Sequence, residues 1–296
     1  MVAPDRDKLR RAFGVARPVR QPASEAAPAS PPAVRSFLQQ RARRFAASGR
    51  TPPRAVVDLP PGVEQAGEQG AFWRRELRYP RAFVHGATSL GAAWRLDGGK
   101  LAALAKDVSF AELDPARCLF VDTETTGLAG GAGTVVFAYG LAFVDGDELV
   151  LEQLFLRDFG EEPALLHHVA ARLGERPVQV TFVGKSYDRH RIAARMAVHK
   201  VRAPVLTSPH LDLYHLTRRA HGKQMPDTRL KTVEQHLLGL VRDDDLPGSE
   251  APAAFLDWIR DRSGPVDRVL EHNRLDVLSL VALLGYLVGR QDDRPA

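Results

Sequence analysis

From residue 115 onward the apolar positions change their period in a fixed order, and each change marks an element. Cys118-Leu-Phe-Val121 is an unbroken apolar run, as expected of a strand covered on both faces, and predicts a strand over 117–123. Two further strands are expected over 135–144 and 149–156, separated by the turn Asp145-Gly-Asp147. An apolar stripe at helical spacing over 161–173 predicts a helix, and its acidic start suits the positive end of the helix dipole. A strand over 178–183, a helix over 186–199 and a short strand over 210–213 follow, then helices over 230–240, 251–262 and 265–289. Three strands on tight connections, then helix and strand in alternation, predict a mixed α/β sheet: an antiparallel three-strand meander plus parallel strands, with helices packed on it.

The chain ahead of this is of another kind. Residues 1–72 are rich in Ala, Pro and Arg, with Ala27-Pro-Ala-Ser-Pro-Pro-Ala33 in their midst. Such a composition buries too little apolar surface to offset the entropy of ordering, so a disordered arm is expected, with a short helix over 34–47 that exposes Arg41, Arg43 and Arg44. Residues 73–114 gain aromatics and the turn-like Val84-His-Gly86 and Asp97-Gly-Gly99, and are expected to form an ordered lead-in to a domain over 115–291.

Charge follows the same division. Residues 1–81 carry 16 Lys/Arg against 7 Asp/Glu, a net of +9, whereas residues 82–296 carry 25 against 29, a net of −4. The overall +5 therefore belongs to the arm, and the body is slightly acidic, as expected where carboxylates are gathered around cations. The one cysteine, Cys118, excludes an internal disulfide and any multi-cysteine zinc site, which fits a reducing cytoplasm. Met1 to Lys8 has no apolar secretion core, and the longest apolar stretch, 277–288, is too short to span a bilayer, so no membrane partner is expected.

The candidate chemistry begins where the first buried strand ends. In Asp122-Thr-Glu124 the two acids point the same way, about 7 Å apart along the strand. Neighbouring carboxylates raise each other's pKa, and a divalent cation would keep both ionised, so the pair reads as a metal site. Asp188, in Val183-Gly-Lys-Ser-Tyr-Asp188, stands where a strand gives way to a helix, the place where ligands of α/β sheets gather. His272 and Asp276 are four apart in the last helix and share a face, with Leu275, Leu278, Leu283 and Leu287 supplying packing surface.

Phe120-Val-Asp-Thr-Glu-Thr-Thr-Gly-Leu128, Gly184-Lys-Ser-Tyr-Asp188 and His272-Asn273 with Asp276 resemble the three exonuclease motifs of the DEDD superfamily of ribonuclease H-like proteins. Gly127-Leu-Ala-Gly-Gly-Ala-Gly-Thr134, Leu230-Lys-Thr-Val-Glu234 and Arg242-Asp-Asp-Asp-Leu-Pro-Gly248 are similar to the bacterial YprB-type branch of that fold, and the likeness runs from about Phe83 to Leu287. The resemblance implies a ribonuclease H-like fold in which Asp122, Glu124, Asp188 and Asp276 hold two divalent cations, Mg²⁺ or Mn²⁺, and His272 acts as general base. It further implies a nuclease, a 3′–5′ exonuclease hydrolysing phosphodiesters of DNA or RNA, with nucleic acid as its partner. Three residues separate His272 from Asp276, which is the spacing of the Tyr-type branch; the His-type branch has one more.

Around these residues, Thr123, Thr125, Thr126, Gly127, Lys185 and Asn273 are candidate substrate contacts, through backbone N–H groups or a phosphate-neutralising ammonium. Gly130, Gly131 and Gly133 lack the Gly-Lys-Ser/Thr ending of a P-loop and exclude a nucleoside triphosphate cradle. Asp212 reads as a strand-end polar residue or an extra acid of the site, and Asp243, Asp244 and Asp245 as a solvated loop. A rival of another class is a nucleic-acid-binding or scaffolding module with the same fold and little or no catalysis. Four acids and a histidine favour the enzyme, because a pure binder gains nothing by setting negative charge against phosphate.

Overall fold

The architecture is that of a computed structural model, which describes residues 58–127, 133–243 and 245–290. Its first elements are the strands β1 (Val63–Gly67) and β2 (Gly70–Pro80), the two-residue strands β3 (Val84–His85) and β4 (Thr88–Ser89), and helix α1 (Gly98–Ala105). The meander follows as β5 (Cys118–Thr125), β6 (Val136–Asp145) and β7 (Glu148–Phe155). After it come α2 (Glu162–Glu175), β8 (Val178–Thr181), α3 (Asp188–Val198), β9 (His210–Asp212), α4 (Leu213–His221), α5 (Leu230–Val233), α6 (Ala251–Asp261) and α7 (Val266–Val288).

Seven strands form one mixed sheet in the order β1-β2-β7-β6-β5-β8-β9, with β5–β8 and β8–β9 parallel and the other pairs antiparallel. Both faces are covered, which is why β5, β6 and β7 read as nearly continuous apolar runs. One face packs Val121, Phe137, Tyr139 and Leu154 against α2, α3 and α6; Phe137 stacks on Phe255 with centroids 4.3 Å apart. The other packs Phe120, Ala142 and Leu151 against α1, α4 and the C-terminal half of α7, where residues 277–285 are all buried.

Helix α7 comes very near the sheet at Gly140, which pairs with Asp122 across β5 and β6. A Cβ at Gly140 would lie 2.5 Å from Val277 Cγ2 and 2.6 Å from Asn273 Oδ1, so only glycine allows this approach. The register of β5 on β6 slips between Glu124 and Thr125, and this bulge ends the strand just past the acidic pair.

The expected ribonuclease H-like mixed sheet is present, and β5 to β9, α2, α3, α6 and α7 lie within a few residues of their predicted spans. Three corrections apply. Residues 58–72, assigned by composition to the arm, include all of β1 and the start of β2, whose Trp73 to Pro80 pair with β7. For the same reason residues 73–114 are no separate lead-in, since β2 belongs to the main sheet. The long-range partner makes the difference: Arg74 and Arg172 both bind Glu152 of β7, a carboxylate with no solvent exposure, so the charged β2 is anchored by residues far along the chain. Helix α4 was not anticipated, and the helix expected over 230–240 is a single α-turn followed by a wider π-helical turn, Glu234–Leu238. The arm up to residue 57, with its short helix over 34–47, lies outside the described residues. Among the described residues no helix is long and apolar enough to cross a membrane.

Candidate active site

Three elements, β5, α3 and α7, carry the predicted acids to the end of β5. Asp122 and Glu124 share the strand face to which Phe120 belongs, the one covered by α7, while Thr123 turns the other way and donates its hydroxyl to Asp188 Oδ1 at 2.6 Å. Asp188 is the first residue of α3. The loop that presents it is held in a demanding conformation: Val183 has φ +65°, in the left-handed region that β-branched residues avoid, and a Cβ on Gly184 would fall 2.7 Å from Thr181 Oγ1 and 2.8 Å from Asp188 Oδ2. Asp212 fixes that loop by accepting the backbone N–H of Val183 at 2.9 Å and of Lys185 at 3.1 Å, and it caps α4 through Tyr214 N. It is thus a strand-end residue that braces the site from outside.

Helix α7 contributes His272, Asn273 and Asp276. Asn273 is wholly buried and donates Nδ2–H to Asp122 Oδ2 at 2.8 Å, while its Oδ1 accepts from Gln153 Nε2 at 3.3 Å. Expected as a substrate contact, it instead orients a carboxylate, because no nucleotide reaches a side chain sealed between sheet and helix. His272 presents Nδ1 to Asp245 Oδ1 at 2.8 Å and Nε2 to Asp276 Oδ2 at 3.6 Å. With Nδ1–H donated to Asp245, the lone pair of the neutral ring is on Nε2.

Asp276 Oδ1 lies 2.5 Å from the Arg242 guanidinium, whose side chain is only 4% exposed. Arg242 also binds Glu234 and reaches Asp245 Oδ2 at 3.5 Å. Glu234 in turn accepts Ser279 Oγ at 2.5 Å, and Ser279 meets His85 Nε2 at 2.8 Å. A buried polar chain therefore runs from His85 to the carboxylate cluster.

The electrostatics of that cluster are those of crowded anions. Burial, then the charges of Asp276 and Asp188, drive the Asp122 carboxyl well above its ordinary range, against the Asn273 hydrogen bond and Arg242, which pull it down. Burial and then Asp122, Asp276 and Asp188 do the same to Glu124. Asp188 is raised to about 6, chiefly by burial and partly by Asp212, against the hydrogen bond from Thr123. The donor set is all hard oxygen, and the mutual repulsion of Asp122, Glu124 and Asp188 is what a divalent cation would relieve. Among the described residues, though, no three Asp, Glu, His or Cys side chains converge closely enough to hold a metal ion as they stand, and Asp276 is engaged with Arg242.

The chain matches the RNase H superfamily over residues 119–288, more than half its length and the whole span from β5 to the end of α7. It belongs to that superfamily. Ribonuclease H-like nucleases generally use divalent metals. The chain is also similar to the uncharacterized protein YprB of Bacillus subtilis (strain 168), with 34% identity over 217 residues, 71% of this chain and 51% of that protein. It spans about half the length of that curated relative.

The remaining candidates fall in two groups. Thr125 Oγ1 lies 3.2 Å from Tyr187 OH, and Thr126 Oγ1 accepts from Val135 N at 3.0 Å, so both hydroxyls have internal duties. Gly127 has open space where a Cβ would stand, and Lys185 is exposed in the loop that leads to Asp188. Residues 128–132 and Asp244 lie outside the described residues. Two members of the site were missed from sequence. Asp245, placed in a solvated loop, is mostly buried against His272, and Arg242 had no role assigned. The only signal was the run Arg242-Asp-Asp-Asp245 itself, in which charge looks solvated until α7 is folded beside it.

Proposed function

We propose that the protein is a divalent-cation-dependent phosphodiesterase that removes nucleotides from the 3′ end of a nucleic acid strand. The observations that support this reading are the buried, mutually repelling carboxylates of Asp122, Glu124 and Asp188 near the end of β5, all with raised pKa, and a histidine oriented by a carboxylate, in a chain of the RNase H superfamily. A bound divalent cation would supply Lewis acidity to the scissile phosphate and to the attacking water. Asp122, Glu124 and Asp188 are the side chains to hold it.

The protein's own groups account for the rest. Asn273 fixes the rotamer of Asp122, and Thr123 that of Asp188, so the oxygens are aimed before substrate arrives. Asp245 sets the tautomer of His272 and stabilises the imidazolium that forms when Nε2 takes a proton from water. Lys185 stands exposed at the loop before α3, where it can neutralise a phosphate of the bound strand.

The test is a panel of 3′- and 5′-labelled single and double strands of DNA and RNA, incubated with Mg²⁺, with Mn²⁺ or with chelator. Stepwise shortening from the 3′ end that requires the cation is the expected result; retardation of the strand without cleavage would sink it. A second reading, a nucleic-acid-binding module without turnover, draws on the Arg242–Asp276 ion pair, which occupies one of the four acids that the resemblance assigns to metal. The same panel separates the two.

A further inference from the structure

We propose that Arg242 is a built-in cation of this site, standing at Asp276 where a second divalent ion would otherwise bind, so that the protein takes one divalent cation and not two. The proposal rests on the metal-dependent reading above and narrows it. The guanidinium is 4% exposed and enters from the loop after the π-helical turn. It lies 2.5 Å from Asp276 Oδ1 and is anchored from behind by Glu234, itself 1% exposed. Glu234 is in turn fixed by Ser279, one turn of α7 beyond Asp276. Arg242 is therefore held by α7 on both sides, and it is no surface side chain that happened to fall on a nearby acid.

The other oxygen of Asp276 faces His272 Nε2 at 3.6 Å. An ion shared between Asp122 and Asp276 would have to enter within a few ångströms of a buried positive charge, where repulsion is poorly screened. Among the described residues Asp122, Glu124 and Asp188 form no ion pair: the groups bonded to Asp122 and Asp188 are the neutral Asn273 amide and Thr123 hydroxyl, and the charges of Arg242 and Arg191 reach them only from farther off. The uncompensated negative charge is thus on the β5–α3 side of the cluster, and the α7 side already has its counter-charge. A guanidinium also brings permanence, since it stays charged at any pH at which the protein is folded.

Calorimetric titration of the full chain with Mn²⁺, alone and with a saturating nucleoside 5′-monophosphate, reads the stoichiometry without any turnover. One Mn²⁺ per chain is expected for the wild type and for Arg242→Lys, and two for Arg242→Gln. Because Arg242→Gln leaves Glu234 buried without its partner, the double variant Glu234→Gln/Arg242→Gln serves as the companion, and it too should take two. Two ions on the wild type would overturn the proposal while leaving the nuclease reading intact. One ion on every variant would overturn it as well, since Arg242 would then not be what excludes the second. No uptake by any of the proteins would remove the metal-dependent reading and this proposal together.

Discussion

Asn273, a side chain with no exposed surface, donates its amide hydrogen to Asp122 Oδ2 at 2.8 Å across the seam between α7 and β5. Buried hydrogen bonds of this kind act less through their own strength than through what their loss leaves behind. In Asn273→Ala the crowded Asp122 would lose its one neutral donor and Gln153 Nε2 one of its acceptors. Chemical denaturation should show a loss of about 1–3 kcal/mol. Any cation-dependent cleavage should fall through kcat with little change in KM, because the residue does not reach the strand.

The pocket is expected to cost stability in the absence of metal. Burial and the charges of Asp276 and Asp188 disfavour ionised Asp122, and neutralising it keeps the acceptor for Asn273. Asp122→Asn should therefore melt a few degrees higher than wild type in chelator, while losing cleavage by orders of magnitude. A lower melting temperature for this variant would mean that the carboxylates do not repel one another as their packing implies.

His272 and Asp245 should act as a unit. Removing the ring in His272→Ala is expected to lower kcat about 100-fold or more. Asp245→Asn, which leaves an acceptor at Nδ1 but no charge to stabilise the imidazolium, should lower it about 10- to 100-fold. The double variant should be little worse than His272→Ala alone. Additive losses in single-turnover kinetics would show that the two residues work independently.

Acid should weaken the fold through buried histidines that have no part in the chemistry. Burial, then the charges of Arg242 and Arg274, lower the His85 pKa to about 4. Burial, then Arg189, Lys185 and His190, lower His210 to about 3. The unfolded chain binds these protons near pH ~6.5 and the folded chain does not, so each contribution is complete above that pH and is lost as pH falls toward the folded value, at up to ~1.4 kcal/mol per pH unit. The raised carboxylates act in the opposite sense, so the difference between proteins is the informative quantity. In denaturation curves from pH 7 to pH 4, His85→Gln should lose less stability than wild type; parallel curves would show that His85 is not buried neutral.

How far the sequence discloses this molecule depends on how local the cause of each feature is. Strands β5 to β8 and helices α2, α6 and α7 follow from the period of their own apolar residues. Asp122 and Glu124 stand out because a pair of acids at the end of a buried run has no structural reason to be there, whereas Asp188, His272 and Asp276 stand out only through the resemblance of their motifs taken together. By contrast β2 carries Arg74, Glu76 and Arg78, and is a strand only because Glu152, 78 residues beyond Arg74, pairs with its charges. Helix α4 has a buried stripe of Leu213, Leu216 and Thr217, but its nine residues are fewer than the stretch over which a helical period can be read. The same non-local cause hides Arg242 and Asp245, whose partners on α7 lie about 30 residues away.

Helix α7 packs along the sheet and at the same time delivers Asn273, Asp276 and His272 to strand β5, about 150 residues earlier in the chain. The carboxylate pocket therefore cannot assemble on a nascent polypeptide until this helix has cleared the ribosomal exit. Whatever strand-cutting capacity the pocket has stays latent until the last helix is in place.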